Sequence, residues 1–242
     1  MSQFLSVLAI ALLPVAGNVL GSIVAELARA PRWVVGAALH AAAGVAVALV
    51  SVELMPRVLD TTPIALIVAL FAGGAAFSVL LVKGVERLRR GKDDGSTGAW
   101  MVYMATAADL FSDGLMTGAS SAVSSELGLL LALSQVVANI PGGFATVANF
   151  RTQNVARRTR LLAAASFALP VVVGAALGFW LLRGAGAIVQ DAALAFIVGV
   201  LLITTIEDLV PQADRPGTAR WISTSSFVAG FAFFALLSAS FD

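Results

Sequence analysis

The chain has 242 residues, 59% of them apolar and 12% charged, with a mean hydropathy of +0.94. A soluble domain carries about 25% charged and about 45–50% apolar residues, so an ordinary soluble globule, a disordered chain and a nucleic-acid binder are excluded and a polytopic membrane protein remains. A net charge of +1, no cysteine and a single histidine leave no global field for an ionic partner, no disulfide or iron–sulfur ligation and no His-rich metal site.

A hydrocarbon core is crossed by about 20 apolar residues in helical form. Stretches at 3–28, 33–55, 63–88, 99–122, 127–149, 160–182, 188–209 and 219–239 meet that length, which predicts one all-α domain of eight transmembrane helices over residues 1–242. Chemical breaks separate them: Ala30-Pro31-Arg32, Pro56-Arg57, Gly91 to Gly95, Arg157-Arg158, and Pro211 to Pro216. Met1-Ser2-Gln3 offers no basic leader and the apolar run behind it is long, so the first stretch reads as a span rather than a signal peptide.

The basic residues set the orientation. With the N-terminus outside, the inner face receives Arg29, Arg32, Lys83, Arg87, Arg89, Arg90, Lys92, Arg151, Arg157, Arg158, Arg160, Arg215 and Arg220, and only Arg57 and Arg183 stay outside. Both termini are then outside a cytoplasmic (inner) membrane. Trp33, Trp100, Trp180 and Trp221 fall at span ends, where amphipathic rings anchor to the interface.

Gly44 to Pro56 and Gly199 to Pro211 share a twelve-residue spacing, and each ends acid-Leu-x-Pro, at Glu53 and at Asp208. The first copy runs outward and the second inward, the signature of an inverted-topology repeat in which spans one to three mirror six to eight.

Charge at bilayer depth is expensive and calls for a function. Asp109 and Asp113 stand at i, i+4 on one face of span four, about ten and fourteen residues from its inner end. At the same depths of the antiparallel span five stand Asn139 and Gln135. Depth pairs Asp109 with Asn139, and Asp113 with Gln135. Pro141 follows, deleting a backbone donor and freeing a carbonyl one turn earlier, a source of helix bend and exposed backbone oxygen. Four oxygen-bearing side chains suit a hard divalent cation. The same groups would also serve as a hydrogen-bonded clamp between two helices.

These registers resemble the ZIP (Zrt/Irt-like) family of divalent metal transporters. Its fourth span carries His-Asn-x-x-acid-Gly and a further glycine, where this chain has Asp109-Leu110-Phe111-Ser112-Asp113-Gly114 and Gly118. Its fifth carries His-Glu-x-Pro-acid/His, against Ala138-Asn139-Ile140-Pro141-Gly142, and Leu169-Pro170 stands where its sixth often has Glu-Pro. The resemblance implies eight spans in a 3+2+3 arrangement, both termini outside, with zinc, manganese or iron carried as substrate and no cofactor. Carried over by residue, Asp113 keeps the family's ligand type, Asp109 replaces a histidine and Asn139 a glutamate. Leu110, Ala138, Gly142 and Leu169 offer no side-chain ligand, so the family's two-metal site reduces to one site of Asp109, Asp113, Asn139 and Gln135. Loss of imidazole shifts preference from Zn²⁺ towards a hard ion such as Mn²⁺.

Glu53, His40, Asp208 and Asn18 are candidate pathway residues, with plain structural roles as the alternative: hydrated helix-end acids for Glu53 and Asp208, helix packing for His40. Glu26 is expected to pair with Arg29. The 89–98 loop carries no His-rich segment, and its basic flanks suit anionic lipid. Partners are the bilayer and the cation, with a homodimer left open. No Walker loop is present, and an intramembrane aspartyl hydrolase would need its acids on separate helices, so no enzymatic activity is expected. A transport-inactive ZIP-fold protein with a regulatory or scaffold role is the alternative function.

Overall fold

A computed structural model describes residues 2–27, 32–89, 97–214 and 218–240, and all its regular elements are helical. In chain order they are α1 (Ser2–Leu27), α2 (Arg32–Ala48), a π-helical segment (Leu49–Leu54), α3 (Met55–Thr61), α4 (Ile64–Arg89), α5 (Thr97–Val123) and α6 (Ser125–Thr152). There follow α7 (Arg157–Ser166), α8 (Ala168–Leu182), α9 (Ala187–Thr204), a second π-helical segment (Thr205–Leu209), α10 (Val210–Asp214) and α11 (Arg220–Ser238). The expected breaks at Pro31, at Gly91 to Gly95 and at Arg215-Pro216 lie outside the described residues, as does Arg29.

Among the described residues six stretches are long and apolar enough to cross a membrane: Gln3–Leu27, Trp33–Asp60, Ser125–Thr152, Arg157–Leu182, Ala187–Glu207 and Arg220–Ser238. This is fewer than the eight that hydropathy along the sequence suggests. In α4 the apolar part is the shorter Ile64–Leu80. In α5 the two aspartates and several hydroxyls lower the mean hydropathy. Trp33, Trp100, Trp180 and Trp221 are exposed near helix ends, and Leu5, Leu169, Leu181 and Leu236 form part of an outward apolar surface of the kind lipid covers.

Prolines shape the path in ways that hydropathy alone does not indicate. Pro56 and Pro211 do not end their helices, which run on to Thr61 and Asp214. A π-helical segment precedes each proline, where an extra residue per turn relieves the ring's clash with the carbonyl one turn back. The chain breaks instead at Thr62, which is extended (φ −119°, ψ 134°) as the residue before Pro63 must be. Pro170 likewise removes the donor for the Ser166 carbonyl, and α7 gives way to α8 at Phe167.

Glycines set the helix contacts. A Cβ at Gly17 or Gly21 of α1 would lie 2.0 or 1.8 Å from the Val136 or Ile140 carbonyl oxygen of α6. At Gly174 and Gly178 of α8 it would lie 2.2 and 2.1 Å from those of Phe111 and Leu115 in α5. The same correspondence links Gly44 on Phe227 of α11 with Gly199 on Phe71 of α4. The principal contacts made this way are α1 with α6, α8 with α5, α2 with α11, and α9 with α4, and α5 packs on α6 as extensively as α9 does on α4.

Candidate metal site between α5 and α6

A single residue joins α5 to α6. Ser124 is extended (φ −151°, ψ 135°), and its side chain accepts from the Glu126 amide, capping the new helix. So tight a hairpin fixes the antiparallel register. Side-chain hydrogen bonds link Thr117 with Gln135 (2.8 Å), Asp113 with Asn139 (2.6 Å) and Thr106 with Thr146 (3.1 Å). Outside the pair, Gly114 and Gly118 lie against the Val171 and Ala175 carbonyls of α8, and Gly143 lies against that of Asn18 in α1. The two helices are held between α1 and α8, backbone against backbone.

Asp113 is 8% exposed, and among the described residues it is the one buried carboxylate. Asn139 Nδ2 donates to its Oδ2 (2.6 Å), and Gln135 Nε2 donates to its Oδ1 (3.1 Å) and to its backbone carbonyl (3.3 Å). Asn139 Nδ2 also donates to the Gln135 carbonyl (2.9 Å), and Thr117 Oγ1 donates to Gln135 Oε1. Three of the four expected residues therefore meet. Asp109 stands exposed one turn nearer the inner end of α5 than Asp113, because depth counting puts Asn139 one turn too far down that helix. The α6 residues at its level, Gly142 and Gly143, have no side chain to cover it. Asp113 meets Gln135 as well as Asn139 because the longer side chain reaches across one turn.

Thr117 joins the cluster, and Thr106 and Thr146 pair with each other further along the same two helices, although none stands out as a ligand type. Their signal was periodicity: Thr106, Asp113, Thr117 and Ser120 recur on one face of α5. Together with Ser121 these groups form a buried polar column about 22 Å long at 1.5 Å per residue. Asn18 of α1 lies beside it near Gly142, and both its amide atoms are buried without a hydrogen-bond partner, as are the Ser120 and Ser121 hydroxyls. Helix α6 continues through Pro141. No group of three His, Cys, Asp or Glu side chains fit to hold a metal occurs among the described residues. Any ion at Asp113 would be held mainly by amide and hydroxyl oxygens.

The other pathway candidates lie apart from this cluster. His40 turns Nδ1 to the Gly36 carbonyl (2.9 Å) and Nε2 to Asp214 Oδ1 (3.2 Å), tying α2 to α10. Glu53, in the first π-helical segment, accepts from Ser238 of α11. Asp208 lies in the second, its side chain outside the described part. Glu26 is held by Arg160 Nε and Nη2 at 3.0 and 2.5 Å, with Arg157 at 3.5 Å, and its expected partner Arg29 lies outside the described residues.

No curated protein matches this sequence. The family model described as ZIP zinc transporter matches residues 89–238, which include both site helices and the remainder of the bundle to the end of α11. That family consists of transporters, not enzymes, and the divalent metals they move are substrates rather than cofactors. The chain is a multi-pass helical membrane protein and belongs to the ZIP zinc transporter family.

Proposed function

We propose that this protein moves divalent cations across the cytoplasmic membrane, binding one ion at Asp113 between α5 and α6. The observation that carries the reading is a buried carboxylate flanked by two amides, inside a ZIP-family bundle. A half-turn of the Gln135 and Asn139 amides would exchange their N–H groups for oxygens. With Thr117 and the Asp113 carboxylate, that makes a hard, all-oxygen ligand set. Asp109 adds a second negative charge one turn towards the inner end, matching a divalent ion. Selectivity is shifted from Zn²⁺ towards Mn²⁺, with Fe²⁺ a further substrate. Crystals soaked in Mn²⁺ and measured for anomalous scattering test this: a peak against Asp113 is expected, and a peak elsewhere or none would refute the site.

We read the whole as eight spans in a 3+2+3 arrangement, both termini outside, with α5 and α6 between two inverted triplets. The matched glycine contacts and the paired π-helical segments support that reading. Unequal packing supports alternating access: α2 lies along α6, whereas α9 touches α5 only lightly and an apolar cavity of about 160 Å³ borders them both. Glu53 and Asp208 serve as entrance and exit contacts, the bend-prone π-helical segments setting their positions.

Asn18 lines the inner half of the path in this reading. Two unpaired buried amide atoms destabilise a fold by about 1–3 kcal/mol each, a cost that function would explain. Asn18→Leu is therefore expected to raise the melting temperature in detergent while lowering Mn²⁺ uptake in proteoliposomes severalfold. A loss of stability would show that Asn18 is a packing residue.

One observation favours the second reading, a transport-inactive protein of ZIP fold. Both Asp113 oxygens already accept from amide N–H groups, as a helix clamp requires. Uptake assays distinguish the two, since a clamp supports no flux.

A further inference from the structure

The cleft between α1, α6 and α7 is separate from the polar column and differs from it in chemistry. It has a volume of about 300 Å³, and Val19, Ile23, Leu27, Val147, Leu161 and Ala164 supply its apolar walls. Ile23, Leu27 and Leu161 are exposed, so among the described residues no helix covers that side. Glu26, Arg157 and Arg160 supply its charged residues.

Charge at the rim is strongly unbalanced. Arg160 uses Nε and Nη2 to hold both Glu26 oxygens and donates from Nη1 to the Val155 carbonyl at 2.6 Å. Arg151 Nη1 donates to the Ala25 and Glu26 carbonyls at the end of α1. Arg157 lies 3.5 Å from a carboxylate already taken by Arg160, and its side chain is 70% exposed. Among the described residues three guanidinium groups thus gather at the end of α1 around the one Glu26 carboxylate, a surplus of two positive charges. The ten-residue α7 also starts here, and its N-cap, Ala156, has no side chain able to satisfy the first-turn amides.

We propose that this cleft binds one anionic phospholipid of the cytoplasmic leaflet. Its phosphate is drawn to Arg157 and the first turn of α7, and an acyl chain lies along Val19, Ile23 and Leu161. An apolar trough beneath a surplus of positive charge at a helix end matches an amphiphile with an anionic head, as basic pockets between membrane helices do elsewhere. A neutral lipid would leave the surplus charge unmatched, and inorganic phosphate would leave the trough unfilled.

Native mass spectrometry of the full chain in detergent tests the proposal, titrating phosphatidylglycerol against phosphatidylcholine. One phosphatidylglycerol is expected to bind at least fivefold more tightly than phosphatidylcholine, and millimolar inorganic phosphate should not displace it. Arg157→Gln should abolish that preference. Arg158→Gln removes the same charge from outside the cleft lining and should leave the preference intact. Leu161→Trp should block binding while the charges remain. All three variants should keep their melting temperature without lipid, since Arg157, Arg158 and Leu161 are exposed. Equal loss in Arg157→Gln and Arg158→Gln would replace the site with a diffuse field and overturn the proposal. So would equal binding of the two lipids, displacement by inorganic phosphate, or a dimer of the chain that excludes lipid from this face.

Discussion

Asp113→Asn is expected to lower Mn²⁺ uptake about a hundredfold while leaving the protein folded. The substitution keeps the shape of the side chain, and an asparagine oxygen still accepts from Asn139 or Gln135, so the α5–α6 contact survives. What disappears is the charge. A bond to a charged ligand contributes up to about 3 kcal/mol, roughly a hundredfold in affinity, and no other buried carboxylate is described that would replace it. Asp113→Ala should behave differently, because it also leaves the Asn139 and Gln135 amides buried without their acceptor. That is expected to destabilise the protein by about 1–3 kcal/mol per amide, in addition to the loss of uptake. Asp109→Asn, at an exposed position, should raise KM about fivefold and leave the maximal rate unchanged. Initial rates in proteoliposomes over a range of Mn²⁺ concentrations separate the three. Wild-type flux in Asp113→Asn would remove the cation site and leave a hydrogen-bonded clamp.

The chemistry of this site was legible because apolar surroundings make each polar residue conspicuous. Asp113, Gln135 and Asn139 could be placed near one another from depth alone. The exact register was not legible, because it depends on one residue. A conventional loop between spans at 122 and 127 starts α6 too late, whereas the structure turns on Ser124 alone and lifts Asn139 by a turn, from Asp109 to Asp113. The hydroxyls are inconspicuous for a different reason: threonine and serine are common in membrane helices, and only their shared face on α5 distinguishes these. The twelve-residue Gly-to-Pro spacing set two helices side by side in the sequence, yet nothing local indicated that Pro56 and Pro211 would be absorbed by π-helical segments rather than ending them. Pairs distant in sequence, His40 with Asp214 and Glu26 with Arg160, arise from the way helices assemble. Hydropathy fixes depth, but not which neighbour a helix meets at that depth.

Leucine at Gly17 or at Gly174 is expected to destabilise the protein by about 3 kcal/mol or more, roughly 6–12 °C in melting temperature for a chain of this size. The reason lies in which atoms the added carbons would meet. A Cβ at Gly17 would overlap the Val136 carbonyl oxygen at 2.0 Å, and one at Gly174 the Phe111 carbonyl oxygen at 2.2 Å. Backbone oxygens cannot rotate away as side chains do, so α1 must part from α6, or α8 from α5. Within a bilayer no hydrophobic effect draws helices together again, and close backbone approach supplies much of the attraction. Gly84 is the control, since among the described residues nothing lies within 4 Å of a Cβ built there, and Gly84→Ala should stabilise α4 by up to about 1 kcal/mol. If the two triplets are inverted copies, the losses at Gly17 and Gly174 should be similar, because each glycine meets the same kind of carbonyl on the central pair. The two variants should also both reduce uptake, since either separation loosens the helices that carry Asp113 and Asn139. If leucine at Gly174 left both stability and uptake intact, α8 would not be seated against α5, and Asp113 would not have the rigid backing that its amide partners require.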